Sequence, residues 1–229
     1  MTKRCLALLL LAAAVAVPGW SQSVGATFGS SVSLGGTPSD MVLDESRGQL
    51  YLVNRAANRV DIYDYNSRTV TGAFGVGLQP LAAAMSMDNR YLYVTNNGAS
   101  TLSVIDLDSG NTVQTVTLAA RPEGVEVGID GRVLISTQGT GVNSLNNTLL
   151  LFDPNQTQAN QVQPVQFPPP PPTPTGAPQV FTRVITSFRG KLVRTPDGRF
   201  IVGLSTINNN SQTVLFLYEV FSGTLLRSR

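Results

Sequence analysis

Short apolar runs rich in Val, Leu, Ile, Tyr and Thr recur along the chain, separated by clusters of Asn, Asp, Ser and Gly. Residues 90–113, RYLYVTNNGASTLSVIDLDSGNTV, contain two such runs with Asn96, Asn97 and Gly98 between them. Val, Ile, Tyr and Thr favour strands, whereas Asn, Asp and Gly tolerate the positive φ of tight hairpins. The pattern predicts successive strands and turns, and no helical period competes with it after residue 21.

The same arrangement recurs at a fixed interval. Pro38, Pro80 and Pro122 are spaced by 42 residues and each opens a similar run, while residues 195–223 form a fourth copy. Each copy predicts four strands, and stacked four-stranded units of about 40–45 residues are typical of β-propeller blades. The sequence therefore predicts an all-β fold, a β-propeller of about four blades with repeats that start near residues 36, 78, 120 and 190.

The clearest copy also resembles a known family. Residues 93–96 are YVTN, the tetrapeptide that names the YVTN-type β-propeller repeat. The other copies depart from it: YLVN at 51–54, ISTQ at 135–138 and VGLS at 202–205. The resemblance covers residues 30–226 apart from one insertion. It implies a secreted bacterial protein of the lactonase-like propeller superfamily, whose members include surface proteins, lactonase-like enzymes and binders of varied ligands.

The sequence is compatible with more than one number of blades. Residues 29–34, GSSVSL, align with the outer strand at 112–118, so the chain reads as one outer strand, three blades and three strands of a fourth. Three arrangements fit this order. The chain is part of a larger propeller, or its N-terminal strand completes a closed four-bladed ring, or two chains share one eight-bladed ring.

The first 21 residues predict a secretory signal. Lys3 and Arg4 precede an apolar run from Leu6 to Val17, and small residues lead to a cleavage site after Ser21. We therefore expect a β-propeller domain over residues 22–229, located in the periplasm or outside the cell. No other run reaches the length of a transmembrane helix.

Composition then restricts the chemistry. Removing Lys3 and Arg4 leaves 14 basic and 14 acidic residues, so the rest of the chain gives little reason to expect nucleic-acid binding. The chain has no histidine, and its one cysteine, Cys5, lies in the signal. These absences exclude a Ser-His-Asp triad, a histidine-ligated haem and a thiol nucleophile from residues 22–229. We expect no cofactor and no metal.

An insertion interrupts the third copy. Asp130 and Asp197 are 67 residues apart where the repeat predicts 42, and most of the excess lies in a Pro-rich segment, residues 154–178. Five consecutive prolines at 168–172 favour an extended, exposed loop. This loop is either a docking peptide for an aromatic groove or, as we prefer, a solvated spacer between blade strands.

Ligands of propellers usually lie on one face, around the central channel. In this repeat that face is expected to carry the loops before each first strand and after each second strand. The polar residues of these loops are the candidate binding residues: Asp40, Asn54, Arg55, Asn96, Asn97, Arg121, Glu123 and Asn208. Arg121 and Glu123 form the predicted charge pair, which could hold a polar or anionic ligand. The asparagines instead fit hydrogen bonds to loop backbone.

These observations favour a secreted or periplasmic propeller that binds without catalysis. Its partner would be a protein or a polar small molecule, which the sequence does not name. The alternatives are a lactonase-like hydrolase, which the family resemblance permits, and a single-stranded nucleic-acid binder, which would need a basic groove with stacking aromatic residues.

Overall fold

The computed structural model describes residues 34–138, 149–165, 185–207 and 212–227, together with Val32. The chain divides into two units, residues 1–33 and 34–229, and the described strands all belong to the second. These residues form sixteen strands in four antiparallel sheets and no helix, which confirms the predicted all-β class. In this part of the chain there is accordingly no helix long and apolar enough to cross a membrane.

Each sheet contains four strands that follow one another in the chain, and we number the sheets as blades 1 to 4. Blade 1 contains β1 (Pro38–Asp44), β2 (Gln49–Asn54), β3 (Arg59–Asp64) and β4 (Thr69–Gly75). Blade 2 contains β5 (Pro80–Met85), β6 (Tyr91–Asn96), β7 (Thr101–Asp106) and β8 (Asn111–Thr117). Blade 3 contains β9 (Pro122–Val127), β10 (Val133–Thr137), β11 (Leu150–Phe152) and β12 (Val162–Pro164). Blade 4 contains β13 (Ile185–Arg194), β14 (Phe200–Ile207), β15 (Gln212–Glu219) and β16 (Thr224–Arg227).

The first strand of each blade lies on the inside of the stack. Strand β5 packs against β1, β9 against β5, and β13 against β9, so we call these four the inner strands. Apolar side chains fill the space between successive blades, for example Tyr51 and Leu92 between blades 1 and 2. Tyr93 and Phe152 do the same between blades 2 and 3. Strands buried on both faces explain the consecutive apolar positions in the sequence.

The hairpins between the first and second strands use the residue types that the sequence analysis associated with tight turns. Asn89 has a φ of 59° in blade 2, and Gly198 has a φ of 69° in blade 4. Both lie in the left-handed region, where Asn and Gly are the residues most easily accommodated.

Two buried hydroxyl groups connect neighbouring blades. Thr95 Oγ1 donates to the Glu123 carbonyl at 3.2 Å, which links blade 2 to blade 3. Ser136 Oγ accepts the Gly124 N–H at 2.8 Å and donates to the Gly190 carbonyl at 2.7 Å, which links blade 3 to blade 4. The Thr95 bond fixes the inner strand of blade 3 against blade 2, and the Ser136 bonds fix the inner strand of blade 4 against blade 3.

The fourth blade differs from the expectation that it has only three strands of its own. Strand β16 pairs with β15 and takes the outer position, so residues 29–34 are not needed to complete the sheet. The described blades also do not close into a ring. Met41 on blade 1 and Val193 on blade 4 remain more than half exposed on the two ends of the stack.

Blade 3 departs from the strict 42-residue spacing in two ways. Its first hairpin is one residue shorter, so Val133 pairs with Val127 where Leu92 pairs with Met85 in blade 2. Val133, and not Leu134, is therefore the counterpart of Leu92. The predicted insertion 154–178 also contains a strand, because β12 supplies the outer strand of blade 3. The proline run at 168–172 lies outside the described residues.

Candidate binding site on the inner strands

Six charged side chains gather where the inner strands approach one another, and we call them the inner-strand charge cluster. Three are carboxylates of β1 and β9 and three are cations of β13: Asp40, Glu123, Glu126, Arg189, Lys191 and Arg194. Each carboxylate pairs with one cation from blade 4. The cluster therefore joins residues from the beginning, the middle and the end of the described chain.

The first pair connects blade 4 to blade 1. Lys191 Nζ lies 2.7 Å from Asp40 Oδ1, and the other carboxylate oxygen accepts the Ala83 N–H at 3.1 Å. The Asp40 side chain is only 9% exposed, whereas that of Lys191 is 67% exposed. A carboxylate fixed between blades 1 and 2 thus holds an ammonium group that remains open to solvent.

The second pair likewise joins a covered carboxylate to a more exposed cation, here Glu123 and Arg189. Glu123 Oε1 accepts hydrogen bonds from Arg189 Nη2 at 2.9 Å and Gln138 Nε2 at 2.8 Å, and Oε2 accepts the Gly190 N–H at 2.7 Å. Burial acts to raise the pKa of Glu123, but the hydrogen bonds from Arg189, Gln138 and the Gly190 N–H outweigh it and lower the pKa. The hydrogen bond to Glu123 raises the pKa of Arg189, whose side chain is about half exposed.

The third pair is more enclosed. Glu126 Oε1 accepts the Val127 N–H at 3.0 Å and lies 3.3 Å from Arg194 Nη1, which also donates to the Met85 carbonyl at 2.7 Å. Burial raises the pKa of Glu126, and the contacts with Val127 and Arg194 do not compensate for it. Two carboxylates on one strand, three residues apart, therefore have opposite pKa shifts.

The cluster presents positive charge to solvent over buried negative charge. The carboxylates of Asp40 and Glu123 are mostly covered, while Lys191 and Arg189 extend outwards. Such cations are held in position yet keep donors available for a further acceptor. Within the described ranges no three His, Cys, Asp or Glu residues are grouped so as to hold a metal ion.

The predicted charge pair is differently arranged. Glu123 pairs with Arg189, while Arg121 is exposed and contributes its carbonyl to the Gln138 N–H at 2.8 Å. Asp40 and Glu123 thus belong to one cluster, in which each of them pairs with a cation from blade 4. Arg189, Lys191 and Arg194 were not singled out from the sequence. The signal that could have found them is the basic excess of residues 180–229, which contain seven basic and two acidic residues.

The described candidate asparagines form hydrogen bonds to backbone and side-chain groups within the blades. Buried Asn54 donates to the Gly35 carbonyl at 3.2 Å and to Asp61 Oδ2 at 2.9 Å. Asn96 is also buried and donates to the Thr101 and Ser103 hydroxyls, and Asn97 donates to the Pro122 carbonyl at 2.9 Å. Asn208 lies outside the described residues. The three described asparagines agree with the alternative reading, in which they satisfy polar groups of the blades.

Arg55 lines a separate cleft between blades 1 and 2. The cleft has a volume of about 510 Å³ and is also lined by Thr37, Asn58, Leu78 and Gln79. Arg55 Nη2 lies 3.3 Å from Gln79 Oε1, so its guanidinium is only weakly held. A second cleft of about 560 Å³, lined by Tyr91, Tyr93 and Phe152 among others, contains none of the predicted binding residues.

Comparison with known proteins identifies the architecture. No family model and no curated protein matches the sequence. Among solved structures, Kuenenia stuttgartiensis hydrazine synthase is similar, with a TM-score of 0.64 and 19% identity over 86% of this chain and 51% of that chain. The Cps50 (Swd1) β-propeller domain of Myceliophteria thermophila has a TM-score of 0.59 and 13% identity over 86% of this chain and 56% of that chain. The fold is a β-propeller.

A third similar structure is the dihydro-heme d1 dehydrogenase NirN in complex with DHE, with a TM-score of 0.52 and 18% identity. The match covers 80% of this chain and 34% of that chain. The propeller described here therefore spans about half, or less, of the length of these neighbours. Identities this low establish the fold and leave the activity to be argued from the site.

Proposed function

We propose that this chain is a secreted, non-catalytic propeller module of the YVTN type, which binds a carboxylate-bearing ligand or partner at the inner-strand charge cluster. The observation that carries the proposal is the pairing of covered Asp40 and Glu123 with exposed Lys191 and Arg189. The buried carboxylates orient the cations, so a ligand carboxylate would meet donors that are already in place.

Several features favour binding over other functions. Arg121 is exposed and directly precedes β9, which carries Glu123, and it could add a third donor to the same ligand. The chain after residue 21 has equal numbers of basic and acidic residues, so a local cluster, and not a broad basic surface, would select the anion. A polar small molecule or an acidic protein segment has this chemistry, whereas nucleic acid would require a larger basic surface.

Titration calorimetry of the secreted protein with small carboxylates and carboxylate-terminated peptides tests the proposal. We expect Lys191→Gln and Arg189→Gln each to weaken binding by about tenfold, which corresponds to about 1.4 kcal/mol. Arg199→Gln is the matched control, because Arg199 is an exposed cation of the same blade, located in the hairpin that leads into β14. Equal weakening in all three variants would mean that net charge alone matters, and would contradict the proposed site.

A lactonase-like hydrolase is the second candidate, because Glu126 has a raised pKa and lies beside Arg194 in the same cluster. The same preparation should be incubated with a panel of lactones. We expect no turnover. Hydrolysis that is lost in Glu126→Gln but retained in Arg199→Gln would replace the binding proposal with the enzymatic one.

The proposed location has its own test. Cleavage after Ser21 predicts that protein recovered from the periplasm or the medium begins at Gln22. Mass spectrometry of the recovered protein measures this directly, and an intact N-terminus carrying Lys3 and Arg4 would contradict secretion by this signal.

A further inference from the structure

We propose that the second cleft described above, between blades 2 and 3, is a binding site for a neutral saccharide. Its volume of about 560 Å³ lies within the range of small-molecule sites, about 300–1,000 Å³. The cleft lies where the β5–β6 and β9–β10 hairpins approach each other, and it contains no residue of the inner-strand charge cluster. The inference is therefore independent of the carboxylate ligand proposed above.

A buried hydroxyl group without a partner lines the cleft. Tyr93 on β6 is only 3% exposed, and its ring packs edge-on against that of Phe152 with 6.2 Å between the centroids. No residue in the described part of the chain forms a hydrogen bond with the Tyr93 hydroxyl. Buried Tyr hydroxyls normally have a partner, so we expect a bound group in the cleft to supply the missing hydrogen bond.

The surroundings of this hydroxyl keep it protonated. Burial, with smaller contributions from Tyr91 and Asp88, raises the pKa of Tyr93 to about 12. Tyr91 and Asp88 both line the cleft, and their electrostatic effect on Tyr93 indicates that its hydroxyl lies on the cleft side. At neutral pH Tyr93 is therefore an uncharged group that can donate and accept a hydrogen bond.

The junction between blades 1 and 2 satisfies the equivalent hydroxyl with side chains. Tyr51 has the same strand register as Tyr93, 42 residues earlier, and its hydroxyl lies 3.0 Å from Asp44 Oδ2 and 3.1 Å from Gln49 Oε1. Arg47 Nη1 donates to Asp44 Oδ2 at 2.9 Å and to a backbone carbonyl of blade 2 at 2.8 Å. A buried carboxylate and its guanidinium partner therefore fill this first junction.

Blade 2 lacks these side chains. The residues at the three matching positions, 42 residues later, are Ser86, Asn89 and Tyr91. The Ser86 hydroxyl donates to Asp88 Oδ1 at 2.5 Å and accepts the Tyr91 N–H at 2.8 Å, so its hydrogen bonds stay within its own hairpin. The cleft beside Tyr93 thus lies where the preceding junction contains an ion pair.

The other polar groups of the cleft suit a ligand that both donates and accepts hydrogen bonds. The hydrogen bond from Ser86 to Oδ1 lowers the pKa of Asp88, and no described residue donates to its Oδ2. Gln114 Nε2 donates to Gln161 Oε1 at 2.7 Å, while Gln114 Oε1 accepts from no described residue. Two acceptors for ligand hydroxyls therefore line the same cleft as the Tyr93 hydroxyl.

The charge of the lining favours a neutral ligand. Asp88 and Asp130 are its charged residues, and none of the described lining residues is basic. Asp130 is already paired with Arg132. An anion would meet carboxylates with no cation on the cleft wall, whereas a ligand hydroxyl can accept from Tyr93 and donate to Asp88.

Exposed apolar side chains complete the cleft wall. Met87, Val113 and Ile129 line the cleft and are 38%, 54% and 44% exposed. Val113 is the extra residue of a β-bulge in β8, which removes it from the pairing with β7. A sugar ring presents C–H groups on its faces and hydroxyl groups around its edge, so it can contact these apolar residues and still reach the polar groups beside Tyr93.

Ligand-observed NMR titration of the full chain tests the proposal with neutral mono- and disaccharides of glucose, galactose, mannose and N-acetylglucosamine. We expect at least one of these sugars to bind. Tyr93→Phe removes only the hydroxyl and should weaken that binding by about tenfold. Tyr218→Phe is the matched control and should bind as the unmodified chain does, because Tyr218 is buried to the same degree but lies on β15 of blade 4.

Urea denaturation separates a binding role of the hydroxyl from a structural one. Tyr93→Phe deletes a hydroxyl that is bonded to no described residue, so the urea midpoint should not fall. Tyr51→Phe removes a donor to the buried Asp44 and should lower the midpoint. An equal fall in both variants would mean that the Tyr93 hydroxyl is already satisfied within the protein, and would contradict the proposal.

Blocking the cleft provides a second variant. Val113→Trp places a large side chain on the cleft wall at an exposed position and should weaken sugar binding by about tenfold or more. Val70→Trp is its control, because Val70 is 49% exposed on the outer strand β4 of blade 1. Lys191→Gln should leave sugar binding unchanged, which separates this cleft from the inner-strand charge cluster.

Three further results would overturn the proposal. If no sugar of the panel binds, the cleft holds water only. If methylamine binds in place of every sugar and Asp88→Asn abolishes its binding, the cleft is a cation site. If the control variants Tyr218→Phe and Val70→Trp weaken sugar binding as much as Tyr93→Phe and Val113→Trp do, the sugar binds elsewhere on the protein.

Discussion

Blade 2 and blade 3 have the same strand order but very different inner strands. Strand β5 of blade 2 is PLAAAM, and it is almost entirely buried. Strand β9 of blade 3 is PEGVEV, in which Glu123 and Glu126 replace the apolar Leu81 and Ala84 at the matching positions. Five of the six residues in the inner-strand charge cluster come from blades 3 and 4. The candidate site is thus built where the inner strands depart from the apolar pattern of blade 2.

This difference is possible because blade 4 supplies the compensating charges. Blade 3 packs against β13, which carries Arg189 and Arg194 opposite the two glutamates. Blade 2 instead packs its Ala84 against the apolar residues of blade 3. A buried carboxylate on an inner strand needs a cation or hydrogen-bond donors beside it, and for these two glutamates blade 4 supplies the cations.

Substitutions at the matching positions Ala84 and Glu126 should give the largest difference in the free energy of unfolding. Ala84→Glu places a carboxylate in an apolar core without a cation, so we expect the free energy of unfolding to fall by about 3–5 kcal/mol. Glu126→Gln retains an acceptor for the Val127 N–H and should cost about 1 kcal/mol or less. Urea denaturation of both variants measures the difference, and equal losses would show that the two inner strands have equivalent environments.

A substitution at Gly124, also on β9, should change the free energy of unfolding by a smaller amount. Gly124 in β9 corresponds to Ala82 in β5, yet a Cβ on Gly124 would overlap the Gly190 carbonyl and lie 2.9 Å from Ser136 Oγ. We expect Gly124→Ala to lower the free energy of unfolding by about 1–3 kcal/mol, because blades 3 and 4 would have to separate. Gly75→Ala in β4 is the control, since a Cβ there meets nothing within 4 Å. If Gly124→Ala left the free energy of unfolding unchanged, blades 3 and 4 would be packed less closely than the Gly124–Gly190 contact indicates.

The two glutamates of β9 should differ in their pH dependence, which is the smallest of the three effects. The folded-state pKa of Glu123 is lowered, so its contribution to stability is present above the unfolded-state pKa and is lost as the pH falls through the folded-state pKa. The folded-state pKa of Glu126 is raised, so its contribution is present below the unfolded-state pKa and is lost as the pH rises through the folded-state value.

Urea midpoints measured between about pH 3 and pH 8 separate these contributions. Glu123→Gln should reduce the loss of stability in acid, and Glu126→Gln should reduce the loss as the pH rises from the acid side. If the slope of the urea midpoint against pH changed in the same direction in both variants, the two side chains would not have the opposite pKa shifts described above.

The strands and turns were predictable from the sequence because their causes are local. Short apolar runs indicated the strands, and the clusters of Asn, Asp, Ser and Gly between them indicated the hairpins, in which Asn89 and Gly198 have positive φ. The 42-residue interval indicated the four-stranded sheets and their stacking, since each blade needs a neighbour to cover its faces. The architecture could therefore be predicted without knowledge of any contact between blades.

The partners of the charged residues were not predictable in this way. Arg121 lies two residues from Glu123 in the chain, but the cation that binds Glu123 is Arg189, 66 residues away, and Lys191 binds Asp40 over a separation of 151 residues. The one-residue shortening of the first hairpin of blade 3 likewise became visible only through its strand pairing. Local periodicity determined which residues form strands. The packing of one blade on another decided which charged residues pair, because these pairs depend on distances between blades that the spacing of the repeats does not specify.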